Sequence, residues 1–190
     1  MTVAPPVPRH RFVEFTIDEL RARLPEALAI YVAAMRYPTG TAEQRAPTWL
    51  AHMLRIDWRC VVALDPDDAL LGIGYGYRGA PGQWWHEQVR RGLMTRTGKT
   101  VADEWMTDYF ELTELHVLPR AQGKGIGEGL LRRLLADVGA PAALLSTPEG
   151  PTRAWRLYRR IGFRDLLRDY LFTGDPRPFA VLGHRLPLDS

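Results

Sequence analysis

Residues 108–127 read DYFELTELHVLPRAQGKGIG. The segment 108–118 alternates apolar and polar side chains as a strand does. Residues 122–127 form a glycine-rich turn, and the helix predicted from there to about 138 carries its core stripe on Leu130, Leu131, Leu134 and Leu135. A strand that runs through such a turn into a helix suits phosphate. Glycines let the backbone approach an anion closely, and N–H groups at a helix N-terminus point at it with the helix dipole behind them. Lys124 adds one cation. Taken alone, an ordinary glycine-rich connection is the alternative reading of this turn.

Residues 11–16 alternate like a short strand and 17–35 carry apolar residues at helical spacing, with Asp18 as the N-cap. A second helix is predicted over 42–55. Residues 58–64 and 69–77, separated by Asp65-Pro66-Asp67-Asp68, read as an antiparallel hairpin. Residues 79–107 break the pattern and read as an insertion with helical patches at 84–94 and 100–106. Past the glycine turn come a buried strand over 142–146, a helix over 151–161 with proline in its first turn, and strands over 162–172 and 179–186. This order describes an α/β (α+β) mixed-sheet architecture in one domain over 1–190.

Composition narrows the classes. At roughly 150 residues per domain, 190 residues make one domain with room for an insertion. The 46% apolar and 25% charged content is ordinary for a globular chain. One cysteine, Cys60, excludes a disulfide framework and Cys-rich zinc sites, and it reads as a small buried hydrophobe. No stretch approaches the ~18 apolar residues of a membrane helix, and the N-terminus lacks the apolar core of a signal peptide, so a cytoplasmic location is expected. The net charge of +3 is too small for a nucleic-acid footprint.

Leu115-His116-Val117, the spacer to Gln122, and Gln122-Gly123-Lys124-Gly125-Ile126-Gly127 resemble the acyl-CoA signature, Q/R-x-x-G-x-G/A, of the GNAT N-acetyltransferase superfamily. Ala154, Leu157-Tyr158 and Gly162-Phe163, in RAWRLYRRIGF, resemble the superfamily's later A-x-x-L-Y-x-x-x-G-F motif. The order of elements is similar over about residues 11–186. One departure stands out. The superfamily often places an Asn near the start of the later helix, against the pantetheine arm, whereas this chain has no Asn and carries Gly150-Pro151-Thr152 there.

The resemblance implies a GNAT-like domain with a central, mostly antiparallel sheet and helices on both faces. It implies acetyl-CoA as co-substrate and transfer of its acetyl group to a primary amine by direct attack in a ternary complex. Leu115, His116, Val117, Gln122, Gly123, Lys124, Gly125, Ile126, Gly127 and Glu128 would bind acetyl-CoA, with Arg153 for its 3'-phosphate. A backbone N–H at 115–117 would face the oxyanion, and Tyr158 would protonate the departing thiolate. On the helix, Ala154, Leu157 and Ile161 share a stripe, which puts Tyr158 beside it, at a pocket edge.

The attacking amine must lose a proton. Side chains alternate along a strand, so Glu111 shares a face with Thr113 and Leu115, and Glu114 shares the other with His116. Glu111 matches the position where the superfamily's histone acetyltransferases carry their base. Glu114 and His116 are the alternatives. A non-catalytic acyl-CoA-binding regulator, or an acyltransferase for a longer acyl-CoA, are the competing functions.

Other signals carry less. Gly74-x-Gly76-x-x-Gly79 lacks a following helix start, so a dinucleotide site is set aside and the glycines read as a strand bending past a ligand. The five histidines show no metal spacing, so no metal is expected. Trp84, Trp85 and Trp105 accompany Glu87, Asp103, Glu104 and Asp108 over residues 84–108, a composition that suits a cationic amine, so the segment is expected to cap the acceptor pocket and to select a small amine-bearing acceptor. A scaffold or dimer-forming role is the alternative there, and the sequence leaves a homodimer open.

Overall fold

The computed structural model describes residues 10–190, so the Pro-rich lead-in with Pro5, Pro6 and Pro8 lies outside the described residues. Contacts divide the chain into two units. One runs to Tyr75 and adds Glu114–Leu134, and the other comprises Gly76–Thr113 and Leu135–Ser190. The long strands β3 (Leu70–Arg78) and β4 (Phe110–Val117) pass from one to the other.

In the first unit, β1 (Arg11–Phe15) pairs antiparallel with β2 (Arg59–Leu64), from Arg11 opposite Leu64 to Phe15 opposite Cys60. The strand order continues through β3 to β4. The β2–β3 hairpin closes as expected. The Asp65 carboxylate accepts from the Asp67 and Ala69 amides at 2.9 Å each, and Asp68 takes a left-handed φ of 64°. Cys60 is buried as anticipated, and burial pushes its thiol far above the ordinary range.

The predicted 17–35 helix is two helices, α1 (Ile17–Ala22) and α2 (Leu24–Met35), which meet at Arg23. Pro25 lies in the first turn of α2, where its missing N–H costs nothing. The N-cap is Thr16 rather than Asp18. Its hydroxyl accepts from the Glu19 amide at 3.2 Å while the Glu19 carboxylate accepts from the Thr16 amide at 2.7 Å, a reciprocal capping box. Next comes α3 (Thr41–His52).

Helix α6 (Ile126–Leu135) buries Ile126, Leu130, Leu131 and Leu134, each side chain stabilising the fold by about 2 kcal/mol. Glycines on β3 make room for it. A Cβ at Gly72 would meet the His116 carbonyl at 3.0 Å and Leu130 at 3.1 Å, and one at Gly74 would meet Leu115 at 3.1 Å. In the second unit a Cβ at Gly76 would stand 2.1 Å from the Glu111 carbonyl, and one at Gly79 would enter the Tyr109 ring. The Gly74-x-Gly76-x-x-Gly79 series therefore serves close packing, which corrects the reading of a strand bent past a ligand.

The second unit continues the order from β4 through β5 (Ala142–Pro148) and β7 (Phe179–Arg185) to β6 (Arg164–Tyr170). β4 runs parallel to β5, with Glu111 opposite Leu144. β7 is antiparallel to both β5 and β6. The seven strands are thus mixed and mostly antiparallel, as the resemblance implied. The 79–107 segment forms α4 (Trp84–Arg96) and α5 (Lys99–Met106), which bury Val89, Leu93, Trp105 and Met106 in one cluster with Leu144, Leu167 and Val181. Helix α7 (Arg153–Ile161) starts two residues after Pro151, with Thr152 as its N-cap, so the proline precedes the helix rather than sitting in its first turn. No helix among the described residues is long and apolar enough to cross a membrane.

Candidate active site

The glycine turn takes the conformation that only glycine adopts easily. Gly123 and Gly125 have φ of 76° and 78°. A Cβ at Gly125 would meet nothing within 4 Å, so backbone conformation, not crowding, requires glycine there. Gln122 closes the turn by donating its side-chain amide to the Val117 carbonyl at 3.0 Å. The Lys124 ammonium donates to the Arg120 carbonyl at 3.3 Å, and Ile126 anchors the first turn of α6 in the core. The Gly129 amide bonds to the Gly125 carbonyl at 3.0 Å, so the amides of Ile126, Gly127 and Glu128 precede the first helical bond. Left-handed glycines followed by the amides that open α6 make a donor set that fits a diphosphate such as that of acetyl-CoA. Glu128 is turned to its own helix in an ion pair with Arg132 at 3.0 Å.

The same unit holds a buried charge cluster on β4. Glu114 and His116 share a strand face, as alternation predicted, and the Glu114 Oε2 and His116 Nε2 are hydrogen-bonded. Arg45, from α3, places Nη2 3.4 Å from Glu114 Oε1. Its guanidinium carbon lies 5.8 Å from the centroid of Tyr31, whose ring meets His116 edge-on at 5.1 Å. Trp49 packs against Tyr31 and Tyr75, and His52 Nδ1 is 2.8 Å from the Tyr75 hydroxyl.

Burial pushes the Glu114 carboxyl up, yet the His116 hydrogen bond and the charges of His116, Arg45 and His52 outweigh it and hold the group below the ordinary carboxylate range. Burial, helped by the charge of Arg55, pulls His52 down to about 4. Burial pushes Tyr31 up to about 12 against the pull of Arg45. The sequence reading missed Arg45, Trp49 and His52, which share one face of α3 by their i, i+4, i+7 spacing. That spacing was the available signal.

In the second unit Glu111 is 3% exposed, opposite Leu144. Tyr158 is 5% exposed, its ring 5.7 Å from Phe163. It therefore lies on the buried side of α7 with Ile161, while Leu157 is only half-buried, which corrects the pocket-edge expectation by one helix position. Gly162, φ 106°, ends the helix, and the Tyr158 carbonyl accepts from both Gly162 and Phe163. The Thr152 hydroxyl accepts from the Trp155 amide at 3.1 Å as the helix cap. Arg153 is the exposed first residue of α7. Its neighbours on the exposed face are engaged within the unit, Arg156 with the Pro151 carbonyl and Arg159 with Asp165.

The carboxylates of the 79–107 segment and its border are also engaged within the unit. Asp103 pairs with Arg90 and Lys99, Asp108 with Arg78, and Glu104 with Arg185. Glu87 accepts from the Gly82 amide at 2.8 Å, and Trp85 donates to Ser146 at 2.9 Å. Trp105 lies under the Arg185 guanidinium at 4.0 Å. Of the three tryptophans only Trp84 is substantially exposed, at 54%.

A strand, a left-handed glycine turn and a helix in this order, on a mixed sheet, form an anion-binding frame of the kind that an acyl-CoA-dependent transferase uses. The chain belongs to the GNAT acetyltransferase family. The family description "Acetyltransferase (GNAT) domain" matches residues 58–165. The chain is 48% identical to the GCN5-like protein acetyltransferase Rv2170 of Mycobacterium tuberculosis, over 93% of this chain and 98% of that protein. Its fold is similar to that of yncA from Salmonella typhimurium, solved with its cofactor acetyl-CoA, at a TM-score of 0.62 and 16% identity over 95% of this chain and 96% of the other. It is similar in the same way to the ribosomal-protein-S18-alanine N-acetyltransferase of Escherichia coli, at a TM-score of 0.62 and 13% identity over 96% and 97%. The protein is thus an acetyltransferase that uses acetyl-CoA.

Proposed function

We propose that the chain is an N-acetyltransferase whose acceptor is a primary amine carried by a protein, and that the amine attacks the thioester directly in a ternary complex. The glycine turn carries the donor half of this reading: left-handed Gly123 and Gly125, followed by the amides that open α6, suit the diphosphate of acetyl-CoA. Leu115, His116 and Val117 then border the pantetheine arm, with one of their backbone N–H groups facing the oxyanion. Arg153 is assigned to the 3'-phosphate.

In the reaction the amine nitrogen forms a bond to the acetyl carbon as the carbon–sulfur bond breaks. Tyr158 gives its proton to the thiolate and recovers one through solvent. The amine's proton goes to a basic group of β4, the strand of Glu111, Glu114 and His116.

The acceptor half rests on the 48% identical relative, which is named a protein acetyltransferase. The small-amine alternative drew on the carboxylates near 84–108, and those have partners within the chain. Free-thiol release from acetyl-CoA, measured over lysine-containing proteins and peptides, polyamines, aminoglycosides and amino acids, tests the reading. Release with proteins or peptides is expected. Release confined to small amines would overturn the acceptor, and absence of release from every amine would overturn the transfer reading.

A further inference from the structure

Arg45 lies outside the residues 58–165 that match the family description, yet its guanidinium meets the Glu114 carboxylate of β4. Glu114 retains 6% of its side-chain exposure and His116 10%, whereas Arg45 retains 40%. An enclosed carboxylate with a cation on one oxygen and an imidazole on the other is an arrangement for fixing that imidazole. A carboxylate only accepts hydrogen bonds. The proton between Glu114 and His116 must therefore sit on His116 Nε2, and the neutral ring then keeps its lone pair on Nδ1.

We propose that Glu114 and His116 form a carboxylate–imidazole dyad in which His116 Nδ1 takes the proton of the acceptor amine, with Glu114 and Arg45 as positioning residues. The proposal rests on the acetyl-transfer reading and names its base. The ammonium proton passes to Nδ1 and on to solvent, which leaves a neutral amine to attack, and the second proton, lost from nitrogen as the amide forms, goes to solvent and balances the one that Tyr158 recovers. Glu114 sets the tautomer and stabilises the imidazolium by its charge. Arg45 holds the other carboxylate oxygen and offsets part of that charge, so it limits how strongly the ring is biased toward protonation. The Tyr31 ring meets the imidazole in a T-shaped contact, with centroids 5.1 Å apart.

The dyad meets Tyr31 of α2 and Arg45 of α3 directly, while His52 of α3 acts on Glu114 through its charge and is hydrogen-bonded to Tyr75 of β3. With His52 pulled to about 4 and Tyr31 pushed to about 12, neither changes charge between pH 5.5 and 9.

The test is the pH profile of kcat/KM over pH 5.5–9, by thiol release with an accepted amine, in the wild type and in His116→Gln, Glu114→Gln and Arg45→Gln. Circular dichroism and acetyl-CoA affinity are followed in each. His116→Gln should lower kcat/KM at neutral pH roughly 100-fold and abolish the acidic limb, with acetyl-CoA affinity retained. Glu114→Gln should move the limb to lower pH and Arg45→Gln to higher pH, opposite displacements that a purely structural role would not produce. If His116→Gln fails to fold, the wild-type ring decides: its 15N shifts must show the neutral form protonated on Nε2, and an Nδ1-protonated ring overturns the dyad. An active wild type whose His116→Gln variant keeps rate and limb also overturns the dyad and leaves acetyl transfer standing. A wild type that releases no thiol with any amine removes both.

Discussion

Arg45 Nη2 lies 3.4 Å from Glu114 Oε1 across sixty-nine residues of sequence, and it joins α3 to β4 through a carboxylate that is only 6% exposed. Breaking one side of a buried pair leaves the other charge uncompensated. The Glu114 carboxyl is held below its ordinary value of 4.5 despite the opposing effect of burial, because His116, Arg45 and His52 favour its charged form. Its contribution to stability is therefore complete above pH 4.5 and is lost as pH falls through the lower folded value. The thermal midpoint of the wild type should drop below pH 4.5, and Glu114→Gln should lower the midpoint at pH 7 while flattening that drop. An unchanged acid slope in the variant would rule Glu114 out as its source.

His52 gives a separate window. Burial moves its folded value from 6.5 to about 4, so between these values the unfolded chain binds a proton that the fold refuses. The stabilisation is fully present above pH 6.5 and fades toward pH 4, by up to ~3 kcal/mol. His86, lowered by burial in the second unit, acts in the same direction. Denaturant midpoints measured from pH 7 to pH 4.5 should fall less in His52→Gln than in the wild type. Parallel curves would show that His52 is not the group responsible.

Two glycines four residues apart should respond differently to alanine. Gly125→Ala forces an L-residue into φ 78° with no neighbour within 4 Å, a cost of about 1–2 kcal/mol in stability. Its main expected effect is a loss of acetyl-CoA affinity of about tenfold, the equivalent of one displaced hydrogen bond. Gly129→Ala would set a Cβ 2.2 Å from the Phe12 ring. It should destabilise the fold by about 1–3 kcal/mol and leave affinity in the folded fraction unchanged. Calorimetric titration beside thermal melts separates the two, and equal affinity in Gly125→Ala would remove the turn from donor binding.

Tyr158→Phe removes one oxygen from a ring that is already packed against Phe163. Turnover should fall roughly 10- to 1000-fold, with acetyl-CoA affinity close to wild type. A variant with wild-type kcat would leave Tyr158 as a core residue only.

Much of the frame was legible because its determinants are local. The alternation of 110–117, the glycines at 123 and 125 and the leucine stripe of α6 each follow from residues within a turn or two of one another. The hairpin at Asp65–Ala69 is equally local. Boundaries were harder. The helix over 17–35 reads as continuous by periodicity, but the Thr16 capping box starts it early and Arg23 breaks it. On α7, apolar spacing favoured Leu157 for the core, yet the larger Tyr158 is the residue buried.

By itself the sequence determined the strand–turn–helix unit and the pairing of Glu114 and His116 on one strand face, because φ preferences and side-chain periodicity act between neighbours. Only the tertiary structure decided which of those groups keeps its charge. That depends on Arg45, Tyr31 and His52 arriving from helices far away in sequence, and on the exclusion of water around them. It also turned the carboxylates of the 84–108 segment from free acceptors for an amine into partners of Arg78, Arg90 and Arg185. Charge pairing over such distances has no local signature, since a carboxylate's chemistry is set by what folding brings beside it.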